Sequence, residues 1–204
     1  MIDYKAILHQ INIDAKSSKE RGKVASYIPE LSKINSHKFG VHLIDADKNE
    51  FAEGDAHELF SIQSISKVLT LSMAFGLLGD ALWSRVDVEP SGDPFNHLSL
   101  LELENGIPRN PLINAGAIVI ADILVSNLKN PKEDFLAYVR NINGDESINF
   151  DLNVAKSEKE TGFRNYAAAN LLKSYGNLKN DVEVVLDFYF HQCSIQMSCA
   201  QLTK

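Results

Sequence analysis

The chain has 204 residues, of which 45% are hydrophobic and 23% are charged, and its formal net charge is −7. A chain of this length and composition is typical of a globular protein with a sizeable core. The negative charge, with no basic run to offset it, argues against a nucleic-acid-binding function. We also expect no signal peptide at the N-terminus and no membrane span, because Lys67 interrupts the longest apolar stretch.

Two cysteines, Cys193 and Cys199, are too few for a disulfide framework. They also lack histidines at the spacing that a metal site requires. We therefore expect free thiols in a cytoplasmic protein, with no metal site and no cofactor.

The N-terminal part of the chain predicts a helix followed by a β-hairpin. Apolar residues recur at helical spacing from residue 3 to about 16. A short helical turn is predicted from Leu31, and the segments 39–44 and 50–54 flank a polar turn and predict the two strands of a hairpin.

The remainder of the chain predicts helices. An apolar run that ends near Gly79 predicts a helix beginning just before Ser64, and Ser198 predicts the N-cap of a last short helix. No strand is predicted after residue 54, so the hairpin has no partner strands and the expected class is α+β. The other predicted helices cover residues 115–128, 131–142, 157–172 and 181–194.

Ser64 and Lys67 form a possible catalytic pair, because a spacing of three places both side chains on one face of a helix. A serine hydroxyl is a weak nucleophile, and a desolvated, neutral lysine can remove its proton. The free N–H groups at the start of the helix would stabilise an oxyanion beside Ser64. A polar helix cap with a lysine that reaches into solvent has the same spacing, so the spacing alone leaves both interpretations open.

Six sequence segments fit together more specifically than this spacing. They are GKVASYIP at 22–29, QSISK at 63–67, EPSGDPFN at 89–96, NPLINAGAI at 110–118, SExxTGxRN at 157–165 and LDFYFxxCSI at 186–195. Together they resemble the glutaminase family, occur in the order of that family and cover residues 22–204 almost continuously.

The resemblance implies the fold of serine β-lactamases and penicillin-binding proteins, and the hydrolysis of L-glutamine to L-glutamate and ammonia. It implies Ser64 as the nucleophile and Lys67 as its base. It also implies a homo-oligomer, either a dimer or a tetramer, with neither nucleic acid nor a membrane as a partner. The residues that it implies for substrate binding are Tyr27, Ser64, Asn114, Glu158, Asn165 and Tyr189.

The family continues beyond the position that matches Lys204, with strands that complete its sheet, a further pocket tyrosine, a Lys-Ser-Gly-like segment and an N–H group of the oxyanion hole. We therefore expect residues 1–204 to be a single domain without its C-terminal portion, either as a fragment or with the strands supplied by another chain. Three functions follow as alternatives: glutamine hydrolysis, a catalytically impaired binding module, or the same chemistry on another amide or a β-lactam.

Overall fold

The computed structural model describes residues 2–20 and 22–204. The helices are α1 (Tyr4–Ser17), α2 (Pro29–Ser32), α3 (Ser66–Leu78), α4 (Ser99–Leu103), α5 (Asn114–Asn127), α6 (Pro131–Asn143), α7 (Leu152–Thr161), α8 (Phe163–Ser174), α9 (Val182–Cys193) and α10 (Cys199–Leu202). The strands are β1 (Gly40–Ile44), β2 (Glu50–Gly54), β3 (Phe60–Ser61), β4 (Asn149–Phe150) and β5 (Ile195–Met197), and 3₁₀ turns cover Gln63–Ile65 and Gly79–Ser84.

Helix α5 lies at the centre of the core. It is apolar on all sides, and every residue from Ala115 to Leu124 is buried, as expected of a helix that other elements surround. Helices α3, α8 and α9 pack against it. The predicted helices at 3–16, 115–128, 131–142 and 181–194 are confirmed to within one residue at each end.

One buried carboxylate, that of Asp122, fixes α5 to two neighbouring segments. Arg85 Nη2 lies 2.6 Å from Asp122 Oδ2, and the backbone N–H of Asn180 donates to Asp122 Oδ1 at 2.8 Å. Burial opposes ionisation, but hydrogen bonds from Asn180 and Arg85 outweigh it and hold the pKa of Asp122 below its ordinary value. The carboxylate therefore stays charged and paired within the core.

The predicted hairpin is confirmed. Strands β1 and β2 are antiparallel, with Gly40 opposite Gly54 and Ile44 opposite Glu50. Helix α1 packs on β2, and α10 packs on β1. The predicted N-cap at Ser198 is also confirmed, because Ser198 and Gln201 form a capping box at the start of α10.

The expectation of no strand after residue 54 is wrong. Strands β3, β5 and β4 form a second sheet in that order, with β5 in the middle and both neighbours antiparallel to it. These strands have only two or three residues, which is too short for an alternating pattern to be visible in the sequence. This sheet matters for the site, because β3 leads directly to Ser64.

The prediction of a single helix at 157–172 is also wrong. Helices α7 and α8 are separate and meet at Gly162. A Cβ atom at Gly162 would lie 2.6 Å from Glu158 O and 2.7 Å from the Phe190 ring. The chain can change direction there because glycine allows this close approach. The break places Glu158 and Asn165 on different helices.

The helical run Gln63–Ser84 is the only one among the described residues that is long and apolar enough to cross a membrane, with a mean hydropathy of 1.4. Its continuous α-helix is α3, whose 13 residues span about 20 Å, whereas the hydrocarbon core of a bilayer is about 30 Å thick. Gly79, at φ 53°, ends that helix. Length and composition are therefore weak indications of a membrane span here.

Candidate active site

A cleft of about 780 Å³ brings together residues that lie far apart in the sequence. Its size falls within the range that is usual for sites that bind small molecules. All six residues implied for substrate binding line it: Tyr27, Ser64, Asn114, Glu158, Asn165 and Tyr189.

Ser64 lies in the 3₁₀ turn that leads directly into α3, and it is exposed to the cleft. The preceding strand holds this turn in place, because Ile62 N–H donates to Ile195 O of β5 at 2.8 Å. The neighbouring Ser66 is completely buried, and its hydroxyl donates to the backbone oxygen of Gln63. Of these two serines, only Ser64 presents its hydroxyl to a ligand.

Lys67 follows Ser64 by three residues, in the first turn of α3, and is 2% exposed. Its Nζ donates to Leu112 O and to Asn114 Oδ1, each at 2.8 Å. Burial lowers the pKa of Lys67 from 10.5 to about 8, because the charged form loses its hydration. Within the described residues no hydrogen bond joins Lys67 to Ser64. The two acceptors leave one position of the tetrahedral nitrogen for a third proton or a lone pair.

The contact with Lys67 determines the orientation of two amides. Lys67 donates to the oxygen of Asn114, so the amide nitrogen of Asn114 points away from it and donates to Asn165 Oδ1 at 3.1 Å. The Asn165 oxygen is therefore occupied, and its Nδ2 group remains as a donor. Because Asn165 lines the cleft, this chain of contacts presents an N–H donor to a ligand.

Glu158 is the buried acid of the cleft and is 5% exposed. Burial raises the pKa of Glu158 to about 7, and the nearby Tyr27 hydroxyl only partly opposes this effect. Partial desolvation of its hydroxyl in the cleft and the nearby Glu158 raise the pKa of Tyr27 above its ordinary value, and complete burial does the same for Tyr189. Both phenols keep their protons near neutral pH, whereas Glu158 can ionise.

Among the residues that the structure describes, no group of three or more His, Cys, Asp or Glu side chains is arranged to hold a metal ion. Cys193 and Cys199 are free thiols.

A sequence model of the family described as glutaminase matches residues 22–204. The chain belongs to the glutaminase family. It is 57% identical over 203 residues to a glutaminase from Christiangramia forsetii and 54% identical over 203 residues to one from Saccharophagus degradans. These alignments cover 100% of this chain and 67% and 66% of the two relatives.

Solved glutaminase structures have the same fold. A probable glutaminase called ybaS superposes with a TM-score of 0.86 at 32% identity, over 99% of this chain and 66% of that one. A probable glutaminase from Bacillus subtilis, complexed with 6-diazo-5-oxo-L-norleucine, superposes with a TM-score of 0.84 at 30% identity, over 99% of this chain and 61% of that one. The expected α+β fold is confirmed, and the chain spans about two thirds of the length of its glutaminase relatives.

Three further residues belong to this glutaminase cleft, although the sequence analysis assigned them no individual role. The Phe95 ring lies 5.6 Å from Lys67 Nζ, and Gln63 accepts a hydrogen bond from the Tyr27 hydroxyl. Cys193 lies at the base of the cleft, where burial raises the pKa of its thiol to about 12, so it stays protonated. All three lie in the segments that resemble the family, which was the only signal available for them.

Proposed function

We propose that this protein hydrolyses L-glutamine to L-glutamate and ammonia, with Ser64 as the nucleophile and Lys67 as its base. The observation that carries the proposal is the burial of Lys67, which favours its neutral form. Burial brings its pKa to about 8, so a useful fraction of the amine is neutral near pH 7. Ser64 stands three residues before it and is exposed to the cleft. Membership of the glutaminase family supports the choice of substrate.

The reaction proceeds by two acyl transfers. Ser64 Oγ gives its proton to neutral Lys67 and attacks the γ-carboxamide carbon, and the backbone N–H of Ser64 stabilises the oxyanion. The Lys67 ammonium returns the proton to the departing nitrogen, the C–N bond breaks and ammonia leaves. A water molecule then gives a proton to Lys67 and attacks the γ-glutamyl ester, and cleavage of the ester bond returns that proton to Ser64.

The polar groups of the cleft match a zwitterionic amino acid. Glu158 supplies the anion for the substrate ammonium, and an ammonium close to it would favour the ionised carboxylate. Asn165 and Asn114 supply amide donors for the α-carboxylate, and Tyr189 supplies a protonated phenol. The β-lactam nucleus has no ammonium and carboxylate on a common α-carbon, so this set of groups favours glutamine.

The test uses 6-diazo-5-oxo-L-norleucine, the compound present in the structure of the Bacillus subtilis relative. Its diazoketone occupies the place of the carboxamide and alkylates a nucleophile without needing turnover. We expect mass spectrometry to find the adduct on Ser64 and to find none in Ser64→Ala. Ser126→Ala is the matched control, because Ser126 and Lys129 repeat the Ser-x-x-Lys spacing at the end of α5.

Undiminished labelling of Ser64→Ala, or an adduct on another residue, would refute the assignment of the nucleophile. Loss of labelling in Ser126→Ala would show that the assay reports on folding and not on the site.

A second candidate function is binding of glutamine or glutamate without turnover. It is favoured by the contacts of Lys67, whose hydrogen bonds within the described residues go to Leu112 and Asn114 and not to Ser64. Ammonia release from glutamine by the purified chain, abolished in Ser64→Ala, would rule out this candidate. The resemblance also favours a cytoplasmic protein that forms a homo-oligomer. Light scattering of the purified chain would measure the mass of the assembly and so test the oligomer.

A further inference from the structure

The backbone at Gln63 is strained. Its φ is 48°, and among the described residues only Lys48 and Asn105 share a positive φ without being glycine. Those two lie in turns after a strand and a short helix, whereas Gln63 directly precedes Ser64. This backbone conformation is unfavourable for a glutamine, so it persists only where contacts with the surrounding structure offset its free-energy cost.

Hydrogen bonds from both directions hold Gln63. Its side-chain oxygen accepts from the Tyr27 hydroxyl at 3.0 Å, and its amide nitrogen donates to Ser61 Oγ at 3.1 Å. Its backbone oxygen accepts from both the N–H and the hydroxyl of Ser66. Every polar group of the side chain therefore has a partner in the segments that surround the nucleophile.

Tyr27 is the contact that extends this arrangement across the cleft. It lies in an irregular segment before α2 and is 62% exposed, while its neighbour Ile28 is buried. Its hydroxyl donates to Gln63 and lies close enough to Glu158 for that carboxylate to raise the pKa of the phenol. The phenol has one proton, so it can donate to only one of them at a time. Gln63 thus fixes the position of a ring that lies against the buried acid.

We propose that Gln63 is a positioning residue with two separate effects, the first through its backbone and the second through its side chain. The positive φ turns the chain from β3 into the 3₁₀ turn and thereby directs the N–H and side chain of Ser64 into the cleft. The amide holds the Tyr27 hydroxyl beside Glu158. The consequence for catalysis rests on the proposed roles of Ser64 and Glu158, whereas the backbone strain does not.

The backbone effect is tested by comparing Gln63→Gly with Gln63→Ala. Both variants lose the amide, and they differ mainly in their preference for a positive φ. We expect the glycine variant to be the more stable one. Its equilibrium constant for unfolding, measured by urea denaturation, should be about fivefold smaller than that of the alanine variant. We also expect a higher limiting rate of Ser64 alkylation for the glycine variant. Equal stability, or a more stable alanine variant, would overturn the backbone effect.

The side-chain effect is tested by Gln63→Leu, Tyr27→Phe and the double variant. For each, the rate of Ser64 alkylation is measured against the concentration of 6-diazo-5-oxo-L-norleucine. We expect each single variant to raise the half-saturating concentration by about fivefold, with a smaller change in the limiting rate. The double variant should equal the worse single variant, since both remove one hydrogen bond. The side-chain effect would be overturned if the changes of the two single variants multiplied in the double variant, or if the half-saturating concentration stayed unchanged.

Binding of L-glutamate distinguishes failure of the proposed function from failure of the proposed role of Gln63. If wild-type Ser64 is not alkylated, the same four proteins are compared by calorimetric binding of L-glutamate, and the same pattern is expected. If the wild type also fails to bind glutamate, the side-chain effect falls together with the proposed function. The comparison of the glycine and alanine variants decides the backbone effect in every case.

Discussion

Replacing Lys67 with methionine should abolish alkylation of Ser64 and, near neutral pH, stabilise the folded protein. Methionine has a similar length and flexibility but no charge. Lys67 is 2% exposed, and burial lowers its pKa from 10.5 to about 8. The folded state therefore opposes the charged form, and the wild-type protein is destabilised wherever Lys67 is protonated in the unfolded chain.

The sign and size of this effect follow from linkage. Because the folded pKa lies below the unfolded one, the penalty is complete below about pH 8 and disappears as the pH rises towards 10.5. Near pH 7 it amounts to about 3 kcal/mol, and near pH 10 to about 1 kcal/mol. Methionine also leaves Leu112 O and Asn114 Oδ1 without their donor, at about 1 kcal/mol each. The expected net stabilisation near pH 7 is about 1 kcal/mol.

Urea unfolding near pH 7 and near pH 10 measures this change directly and does not depend on turnover. The stability of Lys67→Met relative to the wild type should fall by about 2 kcal/mol between the two pH values. Lys129→Met is the control, because Lys129 is exposed and belongs to the other Ser-x-x-Lys sequence; its effect should stay within about 0.5 kcal/mol at both pH values. A pH-independent difference for Lys67→Met would refute the argument.

The rate of Ser64 alkylation at low reagent concentration should rise from about pH 6 to about pH 9. The reactive state forms when Glu158, with a pKa of about 7, and Lys67, with a pKa of about 8, lose their protons. Stopped-flow measurements that show no change of rate with pH would contradict these roles. Gly116→Ala should destabilise the protein by about 2 kcal/mol or more in urea, because the new Cβ would lie 1.9 Å from a backbone oxygen of the preceding loop. Gly76→Ala is its counterpart in α3, where a Cβ meets nothing within 4 Å, and it should stabilise the protein by about 0.5–1 kcal/mol. Equal effects of the two substitutions would show that packing at position 116 does not matter.

Helix α6 could be predicted because it combines helical periodicity with recognisable residues at both ends. It begins at Pro131 and ends at Asn143, and the next residue, Gly144, caps it with a left-handed backbone. By contrast, β3 and β4 have two residues each, and they are stabilised by pairing with β5, which is distant in sequence. Neighbours remote in the chain determine such elements, so a local pattern cannot reveal them.

The site was only partly accessible from local chemistry. The spacing of Ser64 and Lys67 indicated a possible pair, but the family segments supplied the pocket residues. No pattern could show that Lys67 donates to the backbone oxygen of Leu112, because a backbone acceptor carries no residue identity. The positive φ of Gln63 was hidden for a related reason, since glutamine is not a residue that favours this region.

The contacts of Lys67 explain how one side chain can both orient the pocket and move a proton. A neutral amine has two N–H groups and an ammonium has three. Either form can therefore donate to both Leu112 O and Asn114 Oδ1. The orientation of Asn114, and through it the donor that Asn165 presents, is then the same before and after proton transfer. Only the remaining position of the nitrogen changes its proton, and we propose that this position exchanges a proton with Ser64.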